Sequence, residues 1–326
     1  MARSIKTISS FNAGEVSPLV RYRVDLAKYN SSCISLLNSI ASKYGPAMRR
    51  PGTQFVSLPS SCSSLEWSNW VTAVTNAGGT FSPVSKMLAC LLIRAIDSRP
   101  YGSKIKYLLP LLGTNLAAAL VPLRDTLGIG LPTNFNFVNA DFAEAHGLQG
   151  DGTSKFLQLN MTPFGINPGP NSGGLGYWEN KISFTGSAVE PIGSYHSMAA
   201  ILEARFVLDL RSASSSFSWA QPPNSATVAS ASVNAHYYGQ STSSSSRQLF
   251  INGVSVASNT TTDAQQTGDQ PIEVMGCDEI DAGGHHQRYW AGRCAVAYVT
   301  DGTLAPTDAV DFHTLLQSYL ISPLGR

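Results

Sequence analysis

From Gln248 to Val256 the chain reads Gln-Leu-Phe-Ile-Asn-Gly-Val-Ser-Val. A two-residue turn between twisted strands needs positive φ at both central positions, and Asn252-Gly253 supplies residues that tolerate it. The stretch therefore predicts a tight antiparallel hairpin with Leu249 and Ile251 on the core face. The surrounding texture repeats the theme. Over 148–300, Gly, Ser, Thr and Asn dominate, and short alternating segments stand between turn signals. Residues 155–159, 176–184, 200–210, 227–238, 247–257, 271–275 and 291–300 all read as strands. Strands at this spacing without intervening helices predict a mainly β chain built as an antiparallel sandwich.

The first half differs. Residues 1–60 are polar with scattered apolar anchors and bury too little to order themselves, which predicts an extended anchoring arm. Residues 61–146 read as a helical linker region. Leu65, Trp67, Trp70, Val71 and Val74 recur at helical spacing and stop at Asn76-Ala77-Gly78-Gly79. Ser82-Pro83 supplies an N-cap and a first-turn proline for a second helix carrying Val84, Met87, Leu88, Leu91, Leu92 and Ala95. The apolar runs 107–112 and 116–123 read as a buried strand and a short helix, with periodicity unable to separate the two options. Residues 147–326 are read as the sandwich. It closes with a terminal helix after Pro306-Thr307-Asp308, expected on the sandwich edge.

Composition excludes several classes. Only 13% of the 326 residues are charged and the formal net charge is +1, so no field gathers phosphate backbones. No apolar run approaches the roughly 18–20 residues that cross a bilayer as a helix. Met1-Ala2-Arg3-Ser4-Ile5-Lys6 leads into polar sequence rather than the apolar core of a signal peptide, which predicts synthesis in the cytoplasm. The five cysteines, Cys33, Cys62, Cys90, Cys277 and Cys294, are widely spread. Their spacing indicates neither a zinc site nor a disulfide framework, with Cys277–Cys294 as the one bridge considered.

Three blocks near the N-terminus carry a resemblance. They are Ser10-Phe11-Asn12-Ala13-Gly14-Glu15-Val16-Ser17-Pro18, then Arg23-Val24-Asp25-Leu26-Ala27-Lys28-Tyr29, then Arg49-Arg50-Pro51-Gly52-Thr53-Gln54-Phe55. In order and spacing they resemble the N-terminus of tail tubular protein B, the nozzle component of short-tailed phages. The resemblance covers about a sixth of the chain and implies a mode of attachment to a virion ring rather than a tube. It marks Phe11, Gly14, Glu15, Pro18, Arg23, Asp25, Tyr29, Arg49, Arg50, Pro51 and Phe55 as anchoring residues. The C-terminal part is similar to concanavalin-like, laminin-G-type jelly rolls of phage and bacterial surface proteins. That similarity rests on Gly147 to Leu157, on Leu249 to Gly253, on Trp290 to Ala295, and on Leu324-Gly325-Arg326. It implies fold more than function, because the sandwich hosts lectins, enzymes and structural modules alike.

Several residues have both a chemical and a plainer reading. Glycan hydrolysis needs two facing carboxylates. Concanavalin-like glycosidases carry them as Glu-x-Asp-x-x-Glu, and Asp278-Glu279-Ile280-Asp281-Ala282-Gly283-Gly284 lacks the second Glu. Asp281, His285 and His286 invite a metal, but adjacent histidines on an extended chain face opposite ways, so a Gly-rich loop with polar tips is the simpler account. Asp151 beside Gly152 is chiefly a turn signal rather than a calcium ligand, and Gly173-Gly174-Leu175-Gly176 is read as a turn between strands. Serines and histidines form no recognisable triad. Aromatic stacking on sugars is the most plausible ligand function, with Tyr177, Trp178, Tyr237, Tyr238 and Trp290 as candidate glycan-binding residues and core packing as the competing role. Adjacent strand side chains face opposite ways, so one of Tyr237 and Tyr238 is expected outward.

The expectation is a noncatalytic component of a tailed-phage virion, tail- or neck-associated. It would be present in multiple copies against other virion proteins and display its sandwich for contact with host-surface glycan. No cofactor, metal, nucleic acid or membrane insertion is expected. The alternatives are a head decoration or fibre protein on the capsid and, from another class, a glycan-active virion enzyme.

Overall fold

The computed structural model describes residues 64–163, 172–181, 189–198, 201–211, 214–219, 225–228, 234–243, 245–261, 270–276, 278–281, 284–287 and 289–326. The expected arm, with all its anchoring positions from Phe11 to Phe55, lies outside the described residues.

Two helices open the body. In α1 (Leu65–Asn76) the Ser64 side chain caps the Trp67 amide at 3.1 Å, and Trp70 and Val74 are buried. In α2 (Pro83–Asp97) Ser82 accepts from the Ser85 amide at 3.0 Å and Pro83 fills the first turn, as the sequence predicts. After Asp97 the chain turns into β1 (Ile105–Leu109), and α3 (Leu116–Ala119) follows, so the strand-and-helix reading of these apolar runs holds.

The strands form an antiparallel sandwich of jelly-roll type. One sheet has the order β14 (Val254–Asn259), β13 (Ser246–Ile251), β12 (His236–Ser243), β7 (Gly173–Lys181), β18 (Arg293–Asp301), β1, β2 (Arg124–Asp125). On it, β5 (Gly147–Gln149) pairs with β18 and with β4 (Phe142–Ala143). The other has the order β11 (Ser225–Val228), β10 (Ser214–Trp219), β9 (Ile201–Arg211), β8 (Val189–Met198), β15 (Glu273–Val274), β6 (Phe156–Gln158), β3 (Thr133–Phe135). A separate ribbon joins β16 (Asp278–Asp281) to β17 (Gly284–Gln287). The chain ends in α4 (Pro306–Leu316), a π-helical turn over Gln317–Ile321, and α5 (Ser322–Leu324).

The sheet containing β7 and β18 is covered on both faces. One face meets the second sheet through Tyr107, Leu175, Tyr177, Tyr237, Leu249 and Ala297. The other meets the helices through Trp178, Tyr238, Phe250 and Tyr298 against Leu88, Leu92, Phe312 and Leu316. The molecule is thus three layers: helices, sheet, sheet. Each fully buried aromatic or aliphatic side chain contributes about 1.5–3 kcal/mol, so the helix layer is as much a part of the core as the sandwich.

Several expectations change. The helical linker ends at Asp97. Within 105–149 the chain supplies β1, β2, β4 and β5 to one sheet and β3 to the other, so a boundary at 146/147 would cut through both. The terminal helix lies on the outer face of a sheet rather than on its edge, because Phe312, Leu315 and Leu316 share a cluster with Trp178 and Tyr298. The predicted strand at 227–238 is two strands, β11 and β12, in different sheets. Strands β8 and β10 escaped the pattern because their sequences, such as Ser214-Ser215-Ser216-Phe217-Ser218-Trp219, carry little apolar alternation. Cys90, buried in α2, is disulfide-bonded to a partner outside the described residues, contrary to the reading from spacing. Cys294 is a free buried thiol, which removes the Cys277–Cys294 bridge.

Candidate functional site

The five aromatics singled out for sugar contact are interior. Tyr177, Tyr237 and Trp290 belong to the core between the sheets, and Trp178 and Tyr238 to the core under the helices. None exceeds 3% exposure, so none offers a ring face to a saccharide. The expectation that Tyr237 or Tyr238 points outward fails for a definite reason. Alternation sends the two rings to opposite faces, but at β12 both faces of this sheet are covered. Gly174 and Gly176 belong to the same arrangement. They are not a turn but the start of β7, and a Cβ on Gly176 would lie 2.0 Å from the Tyr298 ring. The glycines leave the space that the Tyr238 and Tyr298 rings fill.

What the interior does hold is ionisable. On the helix side, Trp178 of β7, His236 of β12 and His313 of α4 are mutually near-parallel, with ring centroids 5.5, 5.0 and 5.4 Å apart. His236 Nε2 lies 2.7 Å from the Tyr298 hydroxyl. The Nδ1 atoms of His236 and His313 are buried without a hydrogen-bond partner. Burial drives the His236 pKa well below its ordinary value, with His313 adding to the effect, and burial brings His313 down to about 4. Both rings are therefore neutral at pH 7. They do not form a metal site together, because each nitrogen lone pair lies in its own ring plane and parallel planes do not converge on one ion. Among the described residues no group of three or more His, Cys, Asp and Glu side chains is placed to hold a metal.

On the sandwich side stands Glu179. Its Cα partner is Cys294, which faces the inter-sheet core, so Glu179 shares that face. It is fully buried, and neither carboxylate oxygen has a hydrogen-bond partner. Burial alone raises its pKa to about 8. Trp290 Nε1 is likewise buried without an acceptor. Among the described residues no charge is coupled to the Glu179 carboxyl, and desolvation is the one cause of its shift. Sequence reasoning passed over Glu179, His236 and His313. The available signal was Glu179 itself, in register with Leu175 and Tyr177 at two-residue spacing on an otherwise apolar face.

The remaining candidates resolve by local geometry. Asp151 accepts from the amides of Thr153, Ser154 and Lys155 at 2.8, 2.8 and 3.1 Å and from the Ser154 hydroxyl at 2.8 Å. Those bonds outweigh its desolvation and depress its pKa, so the turn reading stands. The segment with Asp278, Glu279, Asp281, His285 and His286 is a two-stranded ribbon rather than a loop, with Glu279 opposite His286 and Ile280 opposite His285.

Compared by sequence, the chain matches no family model and no curated protein. Among solved structures it is similar to a mutant of Trypanosoma rangeli sialidase displaying trans-sialidase activity. The TM-score is 0.47 at 10% identity, over 77% of this chain and 38% of that one. It is also similar to the botulinum neurotoxin serotype D binding domain, with TM-score 0.41, 13% identity, and 65% and 51% coverage. The binding domain of botulinum neurotoxin DC, in complex with SialylT, gives 0.43, 12%, 66% and 51%. The chain thus spans about two fifths to one half of each of these chains' lengths. The likeness concerns β-sandwich architecture.

Proposed function

We propose that the chain is a noncatalytic structural component of a tailed-phage virion, tail- or neck-associated, which attaches through residues 10–55 and carries the three-layer body outward. The observation behind this reading is the ordered set of three blocks, Ser10–Pro18, Arg23–Tyr29 and Arg49–Phe55, that resembles an assembly segment. The geometry is compatible with it in one respect. Ser64, nine residues after Phe55, caps α1 in the helix layer, so the proposed arm joins the chain next to that layer. Glycan contact is not part of the proposal, since the aromatics that suggested it are core residues.

The test is a deletion of residues 1–56 expressed during infection. The truncated protein is expected to stay soluble and folded yet be missing from purified particles. Particles that retain it at normal copy number would overturn the assignment. A tag inserted at Gly128, where an added side chain meets nothing within 4 Å, locates the full-length protein on intact particles by electron microscopy. Density at tail or neck supports the reading, and density over the capsid surface replaces it with the head-decoration alternative.

A further inference from the structure

We propose that the docking of α4 on the nine-stranded sheet is an acid-sensitive latch, released when His313, and after it His236, takes up a proton. The inference is independent of the virion reading. It starts from placement: the three near-parallel rings are the contact at which α4, β7 and β12 meet, and the β13–β14 turn closes over them. The added Cβ of Gly253 would lie 3.1 Å from His313 Cβ.

Among the described residues, the groups around the buried His236 and half-buried His313 rings bring no free negative charge to compensate a positive one. From β18 comes the Tyr298 hydroxyl, already 2.7 Å from His236 Nε2. From β7 comes Trp178, while Glu179, the next residue, faces the opposite side of the sheet. The turn contributes Asn252 and Gly253, neither of which titrates. On α4 itself the nearby carboxylate Asp311 is engaged by Arg99 Nε at 2.6 Å and by the Tyr101 hydroxyl at 2.6 Å, and Asp308 acts on Tyr101. A proton on either buried Nδ1 therefore creates an N–H without an acceptor. Stacking of an imidazolium on Trp178 offsets part of that cost, and repulsion between two charged rings adds to it once both are protonated. The rest of the helix contact is apolar and indifferent to pH, and the Arg99–Asp311 pair keeps its charges because Asp311 has a lowered pKa. The strain thus falls on one helix–sheet contact rather than on the whole core.

The sign follows from linkage. An imidazole whose folded pKa lies below its unfolded value costs stability as pH falls from about 6.5 toward the folded value, because the released state binds the proton more readily. Hydrogen exchange on the full chain, expressed as protection factors at pH 7 and at about pH 4, reads the latch directly. The expected result is a loss of about tenfold or more in protection over Pro306–Leu316, with β7, β12 and β18 unchanged. In His313→Gln the same helix is expected to keep its protection in acid. Should that variant fail to fold, the wild-type imidazole resonances serve, with His313 expected to titrate well below the ordinary value. Protection over α4 that does not depend on pH, a simultaneous loss across the sheet, an equal loss in the variant, or an ordinary His313 titration would each overturn the proposal.

Discussion

Glu179 sits in the inter-sheet core with both oxygens unpartnered. Its pKa is raised from 4.5 to about 8, so the folded protein holds a proton that the unfolded chain has released across that window. Stability contributed by the neutral carboxyl is fully present below the unfolded value and declines as pH rises through the folded one. The steepest slope is about 1.4 kcal/mol per pH unit. In chemical denaturation between about pH 6.5 and 8 the unfolded-state titration of other groups is common to wild type and a Glu179 variant, so the difference between their slopes isolates this group. Glu179→Gln is expected to flatten the slope over that interval while leaving the fold intact. An identical slope in the two proteins would mean that Glu179 is ionised and compensated in the folded state.

At the scale of elements, the β13–β14 hairpin shows how a local rule acquires a tertiary role. Asn252 and Gly253 have φ of 52° and 78°, as a two-residue turn demands, and Leu249 and Ile251 enter the inter-sheet core. The tip also rests on α4: a Cβ at Gly253 would lie 2.7 Å from Val310 Cα and 3.0 Å from the Ala309 oxygen. Gly253→Val therefore combines backbone strain of about 1–3 kcal/mol with overpacking of similar size. The melting temperature is expected to drop by several degrees or more, whereas Asn252→Gly keeps the turn conformation and loses only the bond from the His236 amide to Asn252 Oδ1 at 2.9 Å, so its drop is the smaller. A fall confined to the Asn252 variant would refute this account of the tip. The end of the chain shows a related device. The Arg326 guanidinium donates to the carbonyls of Pro110, Leu111, Glu144 and Ala295, joining three separate segments through one side chain.

For the whole molecule, the consequence of three layers is that the β-rich stretch is not an independent unit. A fragment of residues 147–326 lacks β1, β2, β3 and β4 and uncovers the part of the helix-side core that α1 and α2 had covered. That fragment is expected to aggregate, with large exposed apolar area as the cause, while residues 57–326 remain monodisperse in size-exclusion chromatography. A well-behaved, cooperatively melting 147–326 fragment would show that the helix layer is an accessory.

The sequence by itself determined the elements whose cause is local. The cap at Ser82, the Asn252-Gly253 turn, the Asp151 turn and the mainly antiparallel β class all follow from residue conformational preference and short-range periodicity. Which surfaces are covered was decided only by tertiary structure. Alternation states that Tyr237 and Tyr238 diverge, but not that helices roof one face and a second sheet the other. The same holds for Glu179, His236 and His313. Their chemistry comes from full burial, or for His313 partial burial, beside residues far away in the chain, and a one-dimensional pattern carries no measure of solvent loss at such a meeting.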